Sequence, residues 1–214
     1  MSLLKYSASM SLDGFVAGPD QGPDHPLGVG GERLHLWMRE LAAWRRDAGM
    51  EGGVVNASTA VYEEGSGDVG AIVMGRNMFG GGPGPWTDPP WNGWWGEEPP
   101  FRMPVFVLTH HPRAPLECRG GTTFTFVTGG PAAALELART AATGRDVAVS
   151  GGAGAARQFL SAGLVDELTI HLVPALLGDG VRLFEGDGIA TLGLEQVRAV
   201  EAPGVTHLTY RRVG

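Results

Sequence analysis

The sequence predicts an α/β fold whose sheet is mostly parallel and ends in an antiparallel C-terminal edge. In the middle of the chain, short apolar runs alternate with helical segments, an order that is typical of parallel strands joined by helices. Near the C-terminus, residues 194–200 and 206–212 are strand-like with no helix between them, which indicates an antiparallel pair. The chain has 214 residues and no convincing interdomain linker, so we expect a single domain over residues 1–214.

The first third of the chain predicts one strand, a loop and two helices. Residues 4–10 form the first predicted strand, and Ser-Leu-Asp-Gly at 11–14 is a turn signal because Asp-Gly accepts positive φ angles at low cost. Gly and Pro residues then predict a loop over 18–23. The spacing of apolar residues predicts a helix over 32–47 and a shorter one over 57–64. The apolar stripe of the longer helix comprises Leu34, Trp37, Met38, Leu41 and Trp44.

The rest of the chain supplies the remaining strands and their covering helices. Further strands are predicted over 71–74, 104–108, 123–128, 147–149 and 167–173. Further helices are predicted over 132–142 and 153–162. Residues 79–100 are rich in Gly, Pro and Trp, and irregular stretches of this length are usually functional or disordered. Four tryptophans favour a packed loop, because disordered segments are poor in aromatic residues.

Composition and charge disfavour several classes of function. The formal net charge is −7 and no basic tract stands out, which argues against a nucleic-acid-binding protein. No apolar run is long enough for a transmembrane helix, and the N-terminal residues lack the pattern of a signal peptide. The single cysteine, Cys118, excludes an intrachain disulfide and fits a reducing compartment. We therefore expect a cytoplasmic protein that binds neither nucleic acid nor membrane.

The most informative local pattern is a glycine-rich turn between a buried strand and a helix. Residues 147–155 are Val-Ala-Val-Ser-Gly-Gly-Ala-Gly-Ala, and a helical segment follows them. Missing side chains let a ligand approach the backbone, and the amides of a helix N-terminus favour phosphate. The pattern lacks the full Gly-x-Gly-x-x-Gly. It therefore indicates either a phosphate-binding turn or a tight turn that only packs the helix on the sheet.

Two further predicted strands end in polar side chains. Gly75 and Arg76 follow one apolar run, and Thr109 and His110 follow another. In open α/β sheets, ligands bind at the carboxyl ends of the strands, and an arginine at that position suits a phosphate. An ordinary surface arginine is the alternative. The adjacent His110 and His111 point to opposite sides of an extended chain, so we expect no metal site.

The order and spacing of these motifs resemble those of the dihydrofolate reductase-like family, which includes the reductase domain of riboflavin biosynthesis. The resemblance runs over nearly the whole chain and is strongest to single-domain bacterial members. It rests on Ser-Leu-Asp-Gly at 11–14, Met-Gly-Arg at 74–76, Val-Leu-Thr at 107–109 and Gly-Gly-Ala-Gly at 151–154. Further matches are Gly-Leu-Val-Asp-Glu-Leu at 163–168, Pro-Ala-Leu-Leu-Gly-Asp-Gly at 174–180 and Leu-Phe at 183–184.

The resemblance implies a three-layer α/β/α fold, with a twisted, mostly parallel sheet and NADP(H) bound at the carboxyl ends of its strands. Gly75 and Arg76 would face the adenosine phosphates of the cofactor, and Thr109 with His110 would lie near its 2′-phosphate. The residues implied to hold the pyrophosphate are Gly151, Gly152, Ala153, Gly154 and Ala155. The residues implied to border the nicotinamide are Ala8, Val16 and Ala17. The family also implies a homodimer.

The activity implied by the resemblance is that of an NADPH-dependent reductase, an oxidoreductase acting on a small heterocyclic substrate of the pterin or pyrimidine kind. Asp13, Glu32 and His35 are candidate proton donors. Asp13 is favoured as the catalytic residue for its motif, although capping of the turn explains it equally well. Phe15 and Ser150 stand where riboflavin-pathway reductases carry Lys and Glu. That difference motivates the alternative of a repurposed, non-catalytic nucleotide- or cofactor-binding protein on the same fold.

Overall fold

The structure is a computed structural model that describes residues 2–22, 25–82 and 84–213. Contacts between Cα atoms divide the chain into two compact units. The first unit contains the residues up to Tyr6 together with Val69–Asp166, and the second contains Ser7–Asp68 together with the residues from Glu167 onward. Whether the chain is a single domain stays a prediction. Among the described residues, no helix is both long enough and apolar enough to cross a membrane.

The strands and helices follow one another closely along the chain. The strands are β1 (Leu4–Ser11), β2 (Phe15–Ala17), β3 (Val69–Gly75), β4 (Pro104–Leu108), β5 (Leu116–Glu117), β6 (Thr123–Val127), β7 (Asp146–Ser150), β8 (Glu167–Val173), β9 (Val181–Arg182), β10 (Leu194–Ala202) and β11 (Val205–Arg212). The α-helices are α1 (Leu36–Arg39), α2 (Ala42–Asp47), α3 (Ala57–Gly67), α4 (Arg76–Phe79), α5 (Gly130–Ala142) and α6 (Ala153–Ser161). Short 3₁₀ helices cover Gly31–His35, Arg119–Gly121 and Ile189–Thr191.

The first unit contains the parallel part of the sheet. Its strands lie in the order β1-β7-β3-β4-β6-β5, and every neighbouring pair is parallel except β5 with β6. Helices α5 and α6 both pack against β3 and β7. Strand β3 is buried along most of its length, as expected for a strand with covered faces. The unit's core comprises Val69, Ile72, Met74, Phe79, Val105, Val107, Phe124 and Phe126.

The second unit contains the antiparallel part. Its strands lie in the order β10-β11-β8, with β10 antiparallel to β11 and β11 antiparallel to β8. Helix α3 begins with a capping box, in which Asn56 Oδ1 accepts the amide of Ser58 at 2.8 Å and Thr59 Oγ1 accepts the amide of Asn56 at 3.1 Å. The core of this unit comprises Leu34, Trp37, Leu41, Val173, Ala175 and Val205.

The predicted fold class is confirmed, because parallel strands flanked by helices and an antiparallel C-terminal edge are both present. The predicted helix over 32–47 is wrong as a continuous element. Leu41 is extended at ψ 135° and forms a bridge with Val54, so the segment breaks into a 3₁₀ turn, α1 and α2. Gly53 permits this bridge: its φ is 106°, and a Cβ built on it would lie 2.7 Å from the backbone nitrogen of Ala42. The predicted loop over 18–23 ends at Pro23, outside the described residues.

Candidate functional site

The carboxyl ends of β3, β4 and β7 bring three of the sequence motifs together at one edge of the first unit's sheet. A Cβ built on Gly75 at the end of β3 would lie only 3.0 Å from Cβ of Ala155 in α6. From the adjacent α4, Arg76 Nη1 donates to Thr109 Oγ1 at 3.1 Å, which joins the ends of β3 and β4. A Cβ on Gly151 would lie 3.7 Å from the amide nitrogen of Gly75. Sheet geometry therefore assembles the predicted first-unit residues into one place.

The glycine turn after β7 leaves open space beside the first turn of α6. Gly151 has a φ of 117°, a conformation that favours glycine. A Cβ added to Gly152 or to Gly154 would meet no atom within 4 Å. No side chain caps this nine-residue helix, and the first amides of an α-helix have no intrahelical acceptor. The first backbone amides of α6 therefore lie at an exposed, open turn, an arrangement that suits a phosphate group.

Arg76 is held by hydrogen bonds on several sides. Its Nε donates to the carbonyl of Gly80 at 3.2 Å, and its Nη2 donates to the carbonyl of Gly81 at 3.3 Å. These two nitrogens form one of the edges with which a guanidinium grips an oxyanion. Oγ1 of Thr109 accepts a hydrogen bond from Nη1 of Arg76 and another from the amide of His111, each at 3.1 Å. Arg76 therefore lies at the end of β3 with its Nε–Nη2 edge engaged by the loop that follows α4.

Arg113, which sequence reasoning missed, and Trp86 from the tryptophan-rich stretch complete this cluster. The guanidinium carbon of Arg76 lies 3.3 Å from the ring centroid of Trp86, and that of Arg113 lies 5.0 Å from it. Trp86 Nε1 donates to the carbonyl of His111 at 3.0 Å. Neither arginine forms an ion pair with a described carboxylate. Burial, and secondarily the charge of Arg113, lowers the pKa of Arg76, so the pair is a local excess of positive charge.

The tryptophan-rich stretch is a packed loop, as its composition predicted. Trp91 Nε1 donates to the carbonyl of Phe79 at 3.0 Å. Arg113 donates to the carbonyl of Trp91 and, at 2.6 Å, to Oδ1 of Asn92. The Arg113 guanidinium therefore ties the loop to the end of β4. His110, predicted beside the 2′-phosphate, is exposed at the same strand end.

The remaining predicted site residues belong to the second unit. Ala8 lies half-buried in β1, while Val16 is half-buried and Ala17 buried in β2. The carboxylate of Asp13 accepts the amide of Gly178 at 2.7 Å and that of Leu177 at 3.1 Å.

These contacts decide how the carboxylate of Asp13 titrates. A hydrogen bond from the Ser11 hydroxyl and those from the two amides lower the pKa of Asp13 to about 2. At neutral pH the group is ionised and clamps a loop, so the geometry favours the turn-capping alternative over proton donation.

The second unit also holds a histidine cluster that sequence reasoning missed. Nδ1 of His171 lies 2.7 Å from Nδ1 of His207, and Nε2 of His207 lies 2.8 Å from Oγ of Ser58. The ring of Trp37 is 4.8 Å from both imidazoles. His35, a predicted proton donor, is close enough to lower the pKa of His171. Glu32, the other predicted donor, is exposed. His171 lies in β8 and His207 lies in β11, and only the pairing register of these two strands makes the two histidines neighbours.

The titration of this cluster follows from its burial. Desolvation lowers the pKa of His171 to about 3, with contributions from His207 and His35, and lowers that of His207 to about 4, with a contribution from Arg198. Both rings are neutral at physiological pH. Within the described part of the chain, no three His, Cys, Asp or Glu side chains group as metal ligands.

The family model described as the RibD C-terminal domain matches residues 3–208, which is nearly the whole chain. No curated protein matches the chain. A putative riboflavin biosynthesis protein from Shewanella sp. PV-4 has 22% sequence identity and a TM-score of 0.61, with 99% of each chain covered.

Two further solved structures have similar folds. RibD from Acinetobacter baumannii is 15% identical with a TM-score of 0.56, and the match covers 100% of this chain but 58% of that one. Dihydrofolate reductase from Enterococcus faecalis, solved in complex with NADP(H), is 14% identical with a TM-score of 0.50, covering 99% of this chain and 97% of that one. At these identities the similarity concerns the fold, and it agrees with the dihydrofolate reductase-like architecture predicted from the motifs.

Proposed function

Because the chain belongs to the RibD C-terminal domain family, we propose that it is an NADPH-dependent reductase that transfers hydride to a small heterocyclic compound of the pterin or pyrimidine kind. The family and the similar folds support an oxidoreductase. The choice of NADPH as cofactor and the class of substrate are proposed in addition, and the cofactor is argued below from residues of this chain.

The observation that carries the proposal is the open glycine turn at the start of α6. A Cβ on Gly152 or on Gly154 would meet nothing within 4 Å, so packing alone does not require glycine at either position. The first amides of this helix have no intrahelical acceptor. Backbone amides at a helix N-terminus match the charge of a pyrophosphate. The open turn therefore supports the phosphate-binding alternative over the purely structural one.

The two arginines support the preference for NADPH over NADH. Arg76 and Arg113 place two positive charges around Trp86, with no described carboxylate paired to either. A 2′-phosphate would supply the missing negative charge. Thr109 and the exposed His110 directly follow β4 and could add hydrogen bonds to it. NADH lacks this phosphate, so it would leave the cationic cluster without a counter-charge.

In this proposal the chain's own residues bind and orient, while the bound nicotinamide supplies the hydride. The turn at 151–155 positions the pyrophosphate, and the cluster around Arg76 holds the adenosine end. Asp13 keeps the loop at Leu177 and Gly178 in place through its hydrogen bonds. Holding a reactive group in one orientation is itself a large part of catalysis.

The test is a calorimetric titration of the wild-type protein and two variants with NADPH and with NADH. We expect the wild type to bind NADPH with micromolar affinity and NADH much more weakly. Gly152→Val places a side chain over the turn without a clash inside the fold and should abolish NADPH binding. Gly65→Val is the matched control, because a Cβ there also meets nothing within 4 Å but lies in the second unit. Unchanged NADPH binding by Gly152→Val would refute the cofactor site.

A second candidate function is cofactor binding without turnover. The observation that favours it is the state of Asp13, whose carboxylate is ionised and engaged by backbone amides. Oxidation of NADPH, followed by absorbance with a panel of pterins and pyrimidines, separates the two candidates. Binding accompanied by oxidation supports the reductase. Binding without oxidation of NADPH by any panel compound supports the repurposed protein.

A further inference from the structure

The histidine cluster of the second unit is a linear chain of hydrogen bonds. It begins at the Ser58 hydroxyl in α3, passes through both ring nitrogens of His207 in β11, and ends at the ring of His171 in β8. Ser58 and His207 are each 1% exposed, whereas His171 is half-buried. The chain therefore runs from the interior of the unit towards its surface.

Counting protons shows that only the outer end of this chain can bind anything further. In the Nδ1···Nδ1 bond one ring must donate and the other must accept. If His207 donates, its Nε2 accepts from Ser58 and the proton of His171 lies on Nε2. If His171 donates, His207 Nε2–H donates to Ser58 and Nε2 of His171 carries a lone pair. In both arrangements Nε2 of His171 is the one ring nitrogen of the pair that is left without a partner in the described part of the chain.

Nε2 of His171 is available to a ligand. Within the described residues it has no hydrogen-bond partner. In that part of the chain the only buried side-chain nitrogen or oxygen without a partner is Oγ of Ser2, so Nε2 of His171 is accessible to solvent. The neighbouring pair on the same two strands, Thr169 and Thr209, bond to each other at 3.2 Å and carry no ring. They therefore provide a matched reference for the histidine pair.

The groups around the pair keep both rings neutral. Burial lowers the pKa of both histidines, and His35 from the 3₁₀ helix and Arg198 from β10 add to that effect. Arg198 is itself bonded to Glu64 of α3. An anionic ligand would draw a proton onto His171, which burial opposes. The site therefore suits a neutral ligand, which Nε2 can meet as a donor or as an acceptor.

We propose that Nε2 of His171 is the recognition group of a ligand site in the second unit, and that it hydrogen-bonds the lactam group of a small neutral ligand, to the carbonyl oxygen when Nε2 carries the proton and to the lactam N–H when it carries the lone pair. His207 and Ser58 hold the imidazole of His171 in place, and the ring of Trp37 packs beside it with the ring centroids 4.8 Å apart. If the proposed function is correct, this assignment adds a group that recognises a lactam of the heterocyclic substrate. Its test needs no cofactor, so the two can fail separately.

The first measurement is nitrogen NMR of the histidine rings in the wild-type protein, titrated with 2-pyrrolidinone as the lactam probe. We expect a saturable shift of His171 Nε2, with cyclopentane, which has the same ring size but no lactam, giving none. His171→Phe should weaken binding about tenfold, the factor that one ordinary hydrogen bond supplies. Thr169→Val, on the same strand and face, should leave it unchanged. An Nε2 resonance that stays unmoved by the probe overturns the proposal.

A second measurement stays decisive if the His171 variant does not fold. Diethyl pyrocarbonate acylates neutral, accessible imidazole nitrogens, and peptide mass spectrometry identifies the modified residue. We expect modification at His171 and protection of His207 in the wild-type protein, with the rate at His171 lowered by 2-pyrrolidinone. Equal rates with and without the probe, or no modification of His171, would contradict a ligand-facing Nε2.

Discussion

The buried histidine pair makes the stability of the second unit depend on pH in a calculable way. Burial lowers the pKa of His171 to about 3 and of His207 to about 4, against 6.5 for an ordinary histidine. Below pH 6.5 the unfolded chain takes up two protons that the folded pair refuses. The free energy of unfolding therefore falls with falling pH from about 6.5, until the folded rings are themselves protonated near their lowered pKa values.

The magnitude follows from the number of protons and not from the size of each shift. One proton bound by the unfolded state alone changes the free energy of unfolding by about 1.4 kcal/mol per pH unit. Two histidines give about 2.7 kcal/mol between roughly pH 5.5 and pH 4.5, where the unfolded rings are charged and the folded rings are neutral. This is a large share of the stability of an ordinary domain, which is about 5–15 kcal/mol.

The assay is denaturation by urea at a series of pH values for the wild type and for His171→Gln/His207→Gln. Carboxylates contribute a slope of the same sign to both proteins, so the difference between their slopes isolates the pair. We expect the variant to lose about 2.7 kcal/mol per pH unit of slope in the stated window. Thr169→Val/Thr209→Val perturbs the neighbouring pair without removing a titrating group, and should shift stability by a constant amount. Parallel slopes for wild type and the histidine variant would show that the pair is protonated in the folded protein, and the reasoning would fail.

Three further predictions follow from single contacts. Arg76→Ala should weaken NADPH binding by about 1.5–3 kcal/mol, the worth of a charged hydrogen bond, and NADH binding much less; an equal loss for both cofactors in calorimetry would exclude a 2′-phosphate role. Gly75→Val places its Cβ about as close to Ala155 as the 3.0 Å found for an added Cβ and should destabilise the protein by about 1–3 kcal/mol through overpacking; thermal unfolding at an unchanged temperature would contradict the tight approach of α6. Asn56→Ala removes the acceptor of the α3 capping box and should cost about 1 kcal/mol, measured by urea denaturation, whereas Asn56→Asp should retain most of that stability.

The parts of the fold that sequence could predict are those with local signals. Apolar runs marked the strands of the first unit, and the glycines at 151, 152 and 154 marked the turn into α6, because both patterns need only a few adjacent residues. The assembly of Gly75, Arg76 and Thr109 at one edge also followed, since parallel strands end on the same side. These predictions needed no knowledge of which distant segments touch.

The parts that sequence could not predict depend on such distant contacts. The spacing from Leu34 to Trp44 is helical, yet the Leu41–Val54 bridge breaks the helix, and nothing local to Leu41 announces that partner. His171 and His207 are separated along the chain and become a pair only through the register of β8 and β11. Arg113 lay just beyond the strand-end motif that drew attention to Thr109, and its stacking with the tryptophan-rich loop required that loop's path.

The loop carbonyls on Arg76 have a consequence for any oxyanion that approaches this arginine. The Gly80 and Gly81 oxygens occupy the Nε–Nη2 edge, and Trp86 covers the guanidinium face, so the loop acts as an intramolecular stand-in for the anion. An oxyanion that binds through that edge must displace the two carbonyl oxygens. Its apparent dissociation constant is then the intrinsic dissociation constant divided by the fraction of molecules in which the loop is not bonded to Arg76. Because the loop that must move also carries Trp86, the exchange would change the surroundings of this indole.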